Sequence, residues 1–194
     1  MKNLFLIFII LISALVGCKK DGDNSESCSS NSNANTLVHD GINRQYMLDI
    51  PNSYDGATPV PLMLNFHGFG GSADEYKNEA DMRSLAEIDT FIVVYPKGSC
   101  LDGSSHWNAC LDDPYNKSDA DDFGFIEAMI EEISSQYNID LERIYAVGYS
   151  NGGMMAYGLA NYRSDLIAAV ASVSGVMLDC TGPTSHPMPV VHLH

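Results

Sequence analysis

Apolar residues in this chain fall into short unbroken runs separated by stretches of helical period, and that alternation predicts the layout of the fold. "TLVHDGINRQYMLDIP", from Thr36, reads as two strands about Asp40-Gly41, a dipeptide that favours tight hairpin turns. "PLMLNFH" (Pro61 to His67), "TFIVVYP" (Thr90 to Pro96), "RIYAVGYS" (Arg143 to Ser150), "LIAAVASVSG" (Leu166 to Gly175) and "PMPVVHLH" (Pro187 to His194) are runs of the buried-strand type. Between them, Ser72-x-x-Glu75 is a capping box that opens a helix running to about Ile88. Asp119 to Asp122 start a second helix, where carboxylates suit the helix dipole. Ile126, Met129, Ile130, Ile133 and Tyr137 form its apolar face, and Glu127, Glu131 and Glu132 its polar one. "NGGMMAYGLANY", Asn151 to Tyr162, is apolar on nearly all sides and is expected to be buried. A polar loop from Lys97 to about Asp119 holds the only tryptophan, Trp107. Strands alternating with helices predict an α/β fold: a mostly parallel sheet preceded by an antiparallel hairpin. Ligands of such sheets sit at the carboxyl ends of the strands.

Composition narrows this picture. The chain has 194 residues, the length of one domain, and 45% of them are apolar. A formal net charge of −15 makes the electrostatic term for nucleic acid repulsive, so no nucleic-acid partner is expected. No C-x-x-C or H-E-x-x-H spacing occurs, and no metal is expected.

The first residues form a unit of their own. Lys2 is followed by a 13-residue apolar run from Leu4 to Val16, short for a bilayer span and suited to a secretory signal. Leu15-Val16-Gly17-Cys18 resembles the lipobox of bacterial lipoproteins, which implies cleavage before Cys18 and lipidation of it. Residues 1–17 are thus expected to be a signal peptide and Cys18 a membrane anchor. An ordinary secretory signal is the alternative. Residues 18–35 are rich in Ser, Asn and Asp and are expected to be a flexible tether, leaving 36–194 as the folded domain. The charged start after Cys18 resembles lipoproteins exported to the surface of some Gram-negative bacteria. The expected location is therefore the outer membrane or cell surface, or otherwise the secreted fraction.

With Cys18 lipidated, Cys28, Cys100, Cys110 and Cys180 remain, and four cysteines allow three pairings. Cys100 and Cys110 bracket one loop, which favours their pairing. Closing so short a loop would stabilise by about 2.5–3 kcal/mol in the chain-entropy picture.

The chemistry gathers at "AVGYSNGGMM", where Gly148-Tyr149-Ser150-Asn151-Gly152 makes a G-x-S-x-G frame between a strand and a helix. A sharp turn there holds the serine hydroxyl exposed, and the glycines remove Cβ atoms that would clash. The Asn151 N–H, in the first helical turn, is a candidate oxyanion donor. His67-Gly68-Phe69-Gly70-Gly71, at the end of an earlier strand, has the form of the second oxyanion loop, with the Phe69 N–H as its donor. The His67 side chain is expected to bond loop carbonyls.

"LNFHGFGGS", "YPKGS", "HWNAC", "DDFGFIEAMIEEISSQYNIDLERIYAVGYSNGGMMAY" and "PVVHLH" together resemble the polyhydroxybutyrate depolymerase and feruloyl esterase family of α/β-hydrolases. The resemblance covers roughly Thr36 to His194. It implies an α/β-hydrolase sandwich and cofactor-free serine hydrolysis of carboxylic esters, with Ser150 as nucleophile and Phe69 and Asn151 as oxyanion donors. The implied substrates are feruloyl or acetyl esters on plant polysaccharide, or a polyester. Asp121 and Asp122 match a family signature and are expected to cap the helix and brace loops. Trp107 is expected to line the substrate pocket, with a structural role as the alternative.

The family places its acid and histidine after the strand matching "PVVHLH". The chain as given therefore looks like the amino-terminal two-thirds of such an esterase, lacking the last strand and helix, and is expected to be inactive. Asp179 and His186 follow Ser150 in the right order, but they share a short loop and cannot span a sheet end by themselves. His192 and His194 read as strand residues at the carboxyl end of the sheet. The alternative from another class is a non-catalytic surface lipoprotein that retains a carbohydrate-binding cleft.

Overall fold

A computed structural model describes residues 28–194 except 113, 115, 181 and 183. The expected signal peptide, Cys18 and most of the expected tether lie outside the described residues. Among those residues the main sheet has seven strands. β1 (Asn35–His39) and β2 (Ile42–Asp49) form the antiparallel hairpin about Asp40-Gly41. β2 pairs antiparallel with β4 (Ile92–Pro96). β4, β3 (Val60–Phe66), β7 (Ile139–Tyr149), β8 (Ala169–Val173) and β9 (Val190–Leu193) then run parallel, giving the order β1-β2-β4-β3-β7-β8-β9. This is the mostly parallel sheet with an amino-terminal hairpin that the pattern of runs predicts.

Alternation along the central strands divides the packing. Leu62, Leu64, Phe66, Ile92, Val94 and Ile144 face one layer, with α3 (Asp122–Gln136) and α4 (Asn151–Tyr162). Val93 and Tyr95 face the other, with α1 (Ala73–Glu79) and α2 (Arg83–Asp89). Each fully buried large side chain contributes roughly 1.5–3 kcal/mol, so the three-layer centre holds the sheet in register.

Two elements differ from the expected ones. The helix expected from Ser72 to Ile88 is two helices. Ser72 caps the first, accepting from the Glu75 N–H while its hydroxyl donates to the Glu75 carboxylate at 2.8 Å. The break falls at Ala80–Met82, where Asn65 and Tyr95 both donate to the Ala80 carbonyl and the Met82 N–H donates to the Tyr95 hydroxyl. Side chains from the sheet thus take backbone groups that a continuous helix would pair internally. The polar loop after Lys97 is also not featureless. It carries a small hairpin, β5 (Ser99–Leu101) with β6 (Ser104–His106).

The cysteines pair Cys28–Cys100 and Cys110–Cys180, which corrects the expected Cys100–Cys110 bridge. The β5–β6 hairpin carries the chain away between those two residues. Cys100 faces the amino-terminal lead, and Cys110 faces the segment after β8. Each bridge closes a loop of about 70 residues and stabilises by about 4 kcal/mol in the chain-entropy picture. The ordered domain also begins earlier than Thr36. Besides the Cys28 bridge, the Asn31 backbone and the Gln45 side chain exchange two hydrogen bonds, and Lys97 donates to the Ser29 carbonyl. Residues 28–35 are therefore part of the domain rather than of a tether.

Candidate active site

β7 ends at Tyr149 and α4 begins at Asn151, so one residue makes the whole turn. Ser150 makes it with φ 51° and ψ −115°, a left-handed backbone that L residues rarely adopt. Its N–H donates to the Val173 carbonyl at 2.8 Å, and its side chain does not cap the helix. The strain is fixed by close backbone packing. A Cβ on Gly148 would sit 2.2 Å from the Gly152 carbonyl oxygen, and a Cβ on Gly152 would sit 2.2 Å from the Phe66 oxygen. The G-x-S-x-G frame is thus a contact between the elbow and the end of β3, which only glycine permits.

That contact brings the second loop to the serine. A Cβ placed on Gly68 would lie 3.6 Å from the Ser150 Cβ. Neither the Phe69 N–H nor the Asn151 N–H donates to another group among the described residues. Both N–H groups are therefore left without a protein acceptor, on the two segments that meet at Ser150.

The β5–β6 hairpin clamps this arrangement. Ser105 accepts from the Gly70 N–H at 2.8 Å, and its hydroxyl donates to the Gly71 carbonyl. The Trp107 indole N–H donates to the His67 carbonyl at 3.0 Å. The Trp107 backbone is held by the Asn151 side chain, whose Oδ1 accepts at 2.7 Å and whose Nδ2 donates at 3.0 Å. One residue thus ties the His67–Gly71 loop to the start of α4. Trp107 is only 2% exposed and packs edge-on against Phe66, with ring centroids 5.1 Å apart. Of the two roles expected of Trp107, these contacts are those of the structural one. Its ring is consumed by the scaffold.

His67 has the structural role expected of it. Nδ1 donates to the Gly68 carbonyl at 2.7 Å, and Nε2 accepts from the Gly98 N–H at 3.0 Å. That pattern requires the neutral ring, and burial pushes its pKa down to about 4. Asp121 caps α3 through the Gly124 N–H at 2.9 Å. Asp122 is buried, pairs with Arg44 at 2.6 Å, and accepts from Ser99 and the Asn108 N–H. The two aspartates cap and brace as expected, and Asp122 fixes the loop that carries Trp107.

The segment after β8 goes to the other end of α4. The Cys180 carbonyl accepts from Tyr162, and the Ser185 hydroxyl bonds both Ser164 and His186. Ser164 lies beyond the end of α4, a helix about 18 Å long that begins at Ser150. His186 is therefore not a base for Ser150. His192 bonds the Tyr157 hydroxyl at 2.8 Å. No imidazole among the described residues hydrogen-bonds the Ser150 hydroxyl. His39, Asp40 and Asp121 bring metal-capable atoms within 4.8 Å of one another, but Asp121 is already spent on the helix cap and on His39 at 3.1 Å. No helix among the described residues is long and apolar enough to cross a membrane.

A parallel sheet of this order, with a strained serine between a strand and a helix, defines an α/β-hydrolase. A family model described as esterase PHB depolymerase matches residues 45–192, and the chain belongs to that family. It is 30% identical over 134 residues to the bifunctional acetylxylan esterase/xylanase XynS20E of Neocallimastix patriciarum, covering 69% of this chain and 18% of that protein. It is 28% identical over 195 residues to "Probable feruloyl esterase C" of Aspergillus niger, covering all of this chain and 68% of that one. The fold is shared with an acetyl xylan esterase from Aspergillus awamori, with TM-score 0.64 and 21% identity over 77% of this chain and 54% of that one. The chain thus spans about half the length of that solved esterase.

The Asn151–Trp107 clamp and the Arg44–Asp122 brace were not among the sequence expectations. Both join residues more than 40 positions apart, and no local pattern marks such pairs.

Proposed function

We propose that this chain carries the nucleophile and oxyanion hole of an exported serine carboxylic-ester hydrolase. The Ser150 oxygen adds to the ester carbonyl carbon and gives up its proton to a base. Charge develops on the carbonyl oxygen, where the Phe69 and Asn151 N–H groups stabilise it. The C–O bond to the alcohol then breaks, leaving an acyl-Ser150 that water hydrolyses. The observation that carries this reading is the left-handed Ser150 at the elbow, where the loop bearing Phe69 packs against it and the Phe69 and Asn151 N–H groups have no protein acceptor among the described residues. The similarity to acetylxylan and feruloyl esterases supports acetyl or feruloyl esters on plant polysaccharide as substrates, with a polyester as the other class. Two disulfides among the described residues support an oxidising compartment and hence export, with Cys18 as the lipidation site.

A polypeptide of these 194 residues has Ser150 at the elbow, and among its described residues no imidazole bonds the hydroxyl. It is expected to hydrolyse p-nitrophenyl acetate only at the residual level of ~10³–10⁴ over water that survives loss of a triad member. Grafting the acid- and histidine-bearing segment of a related feruloyl esterase after His194 should raise the rate by orders of magnitude. Ser150→Ala should then abolish the gain. A gain that survives Ser150→Ala would overturn the assignment of Ser150.

A further inference from the structure

Between α1, the His67–Gly71 loop and Tyr149, the residue before Ser150, lies a cleft of about 140 Å³ that the reaction above leaves unused. We infer that this cleft is a subsite for a neutral sugar ring, recognised by Tyr149, Phe69, Tyr76, Glu75 and Glu79. The inference rests on the reading of Ser150 as the nucleophile, because it places the sugar next to the ester being cleaved.

Position comes first. Tyr149 precedes the nucleophile, and its ring reaches within 3.1 Å of a Cβ placed on Gly68. The cleft therefore shares its wall with the oxyanion loop. Its volume is well below that of a cavity for a drug-sized ligand, and it suits a single ring.

The lining then selects the ring. Phe69 and Tyr149 are half exposed, at 53% and 49%; Lys117 lies over one face of the Phe69 ring, and the Tyr149 ring offers an apolar surface to the C–H face of a sugar. Glu75 and Glu79 are one turn apart on α1 and line the same cleft. Their carboxylates accept from hydroxyl groups, and a sugar presents adjacent hydroxyls. Tyr76 forms the floor. It is nine-tenths buried and packs with Ala73, Val93 and Tyr95. Burial, with Tyr95, Glu79 and Tyr149 nearby, pushes its pKa up to about 12, so it keeps its proton for donation.

The same lining rejects two other ligands. A polyhydroxyalkanoate segment carries ester acceptors but no internal donors, so seating it would strip water from the two carboxylates without replacing those bonds. A uronate brings a third negative charge to them, which the single Lys117 ammonium over Phe69 offsets only in part.

Calorimetric titration of the 194-residue chain tests this without any turnover, so failure of the esterase reading and failure of this one are separable. The probes are xylotetraose, an oligomer of 3-hydroxybutyrate and trigalacturonate. Xylotetraose should bind saturably and at least about tenfold more tightly than the other two. Glu79→Gln and Tyr149→Leu should each weaken it by about fivefold or more, while Glu131→Gln on α3 leaves it unchanged. Glu79→Lys should narrow or reverse the discrimination against trigalacturonate. Absence of saturable xylotetraose binding would overturn the inference. So would equal binding of the three probes, or indifference to both cleft variants in chains whose circular dichroism is unchanged.

Discussion

Leu62, Leu64 and Phe66 of β3 are fully buried, while Val190, Val191, His192 and Leu193 of β9, three places away in the same sheet, are all exposed. β3 is pressed between helical layers on both faces and holds the elbow through backbone contact at Phe66. β9 is held by its ladder to β8, by the Ser174 N–H on the Leu193 carbonyl, and by the Tyr157–His192 bond. The strained serine and the backbone of the loop beside it rest on the part of the sheet that cannot yield. The contrast shows where rigidity is concentrated. It is greatest where a small displacement would release the strained Ser150 backbone.

The largest effect is expected at the elbow. Gly152→Ala drives a Cβ against the Phe66 and His67 carbonyls, with backbone on both sides and no side chain free to move aside. It should cost about 3 kcal/mol or more, or prevent folding. Gly182→Ala, where nothing lies within 4 Å, serves as the reference and should leave the melting temperature nearly unchanged. Equal melting temperatures for the two variants would contradict the rigid-centre account.

The next effect is a pH dependence centred on His67. The folded ring titrates near 4 and the unfolded one near 6.5, so between these values the unfolded chain binds more protons. Stability is complete above about pH 6.5 and falls as the pH drops towards 4, by up to about 3 kcal/mol from this residue. His106 is lowered by burial as well and adds to the same slope. Denaturant midpoints at pH 7 and pH 4.5 measure the fall, and His67→Gln should flatten it. An unchanged slope in that variant would move the effect elsewhere.

The smallest effect belongs to the edge. Val191→Ser on β9 should change stability by less than about 0.5 kcal/mol, because the side chain already faces water. A urea midpoint shift as large as a core substitution gives would show that this strand packs more tightly than its exposure implies.

The strands and the elbow were legible because each is local. Runs such as "PLMLNFH" and "RIYAVGYS" carry burial in their own composition, and Gly148, Ser150 and Gly152 fall at the junction of a strand and a helix. The break after α1 was not legible. "ADEYKNEADMRSLAEID" has no Gly or Pro, and the Ala80 carbonyl is taken by Asn65 and Tyr95 from other strands. The disulfides were misread for a related reason. Sequence proximity favoured Cys100 with Cys110, but the intervening hairpin turns them towards partners some 70 residues away. Trp107 has the composition of a pocket residue, and only its bonds to His67 and Asn151 identify it as a brace.

That brace has an optical consequence. Trp107 is the only tryptophan in the chain, and it sits dry between the loop that bears Phe69 and the helix that bears Asn151. The protein's intrinsic indole fluorescence therefore originates at one point, the joint between the His67–Gly71 loop and α4. Its emission maximum and quenching reflect whether that joint is closed, so assembly of the elbow and its loop can be followed without a substrate, a label or a turnover.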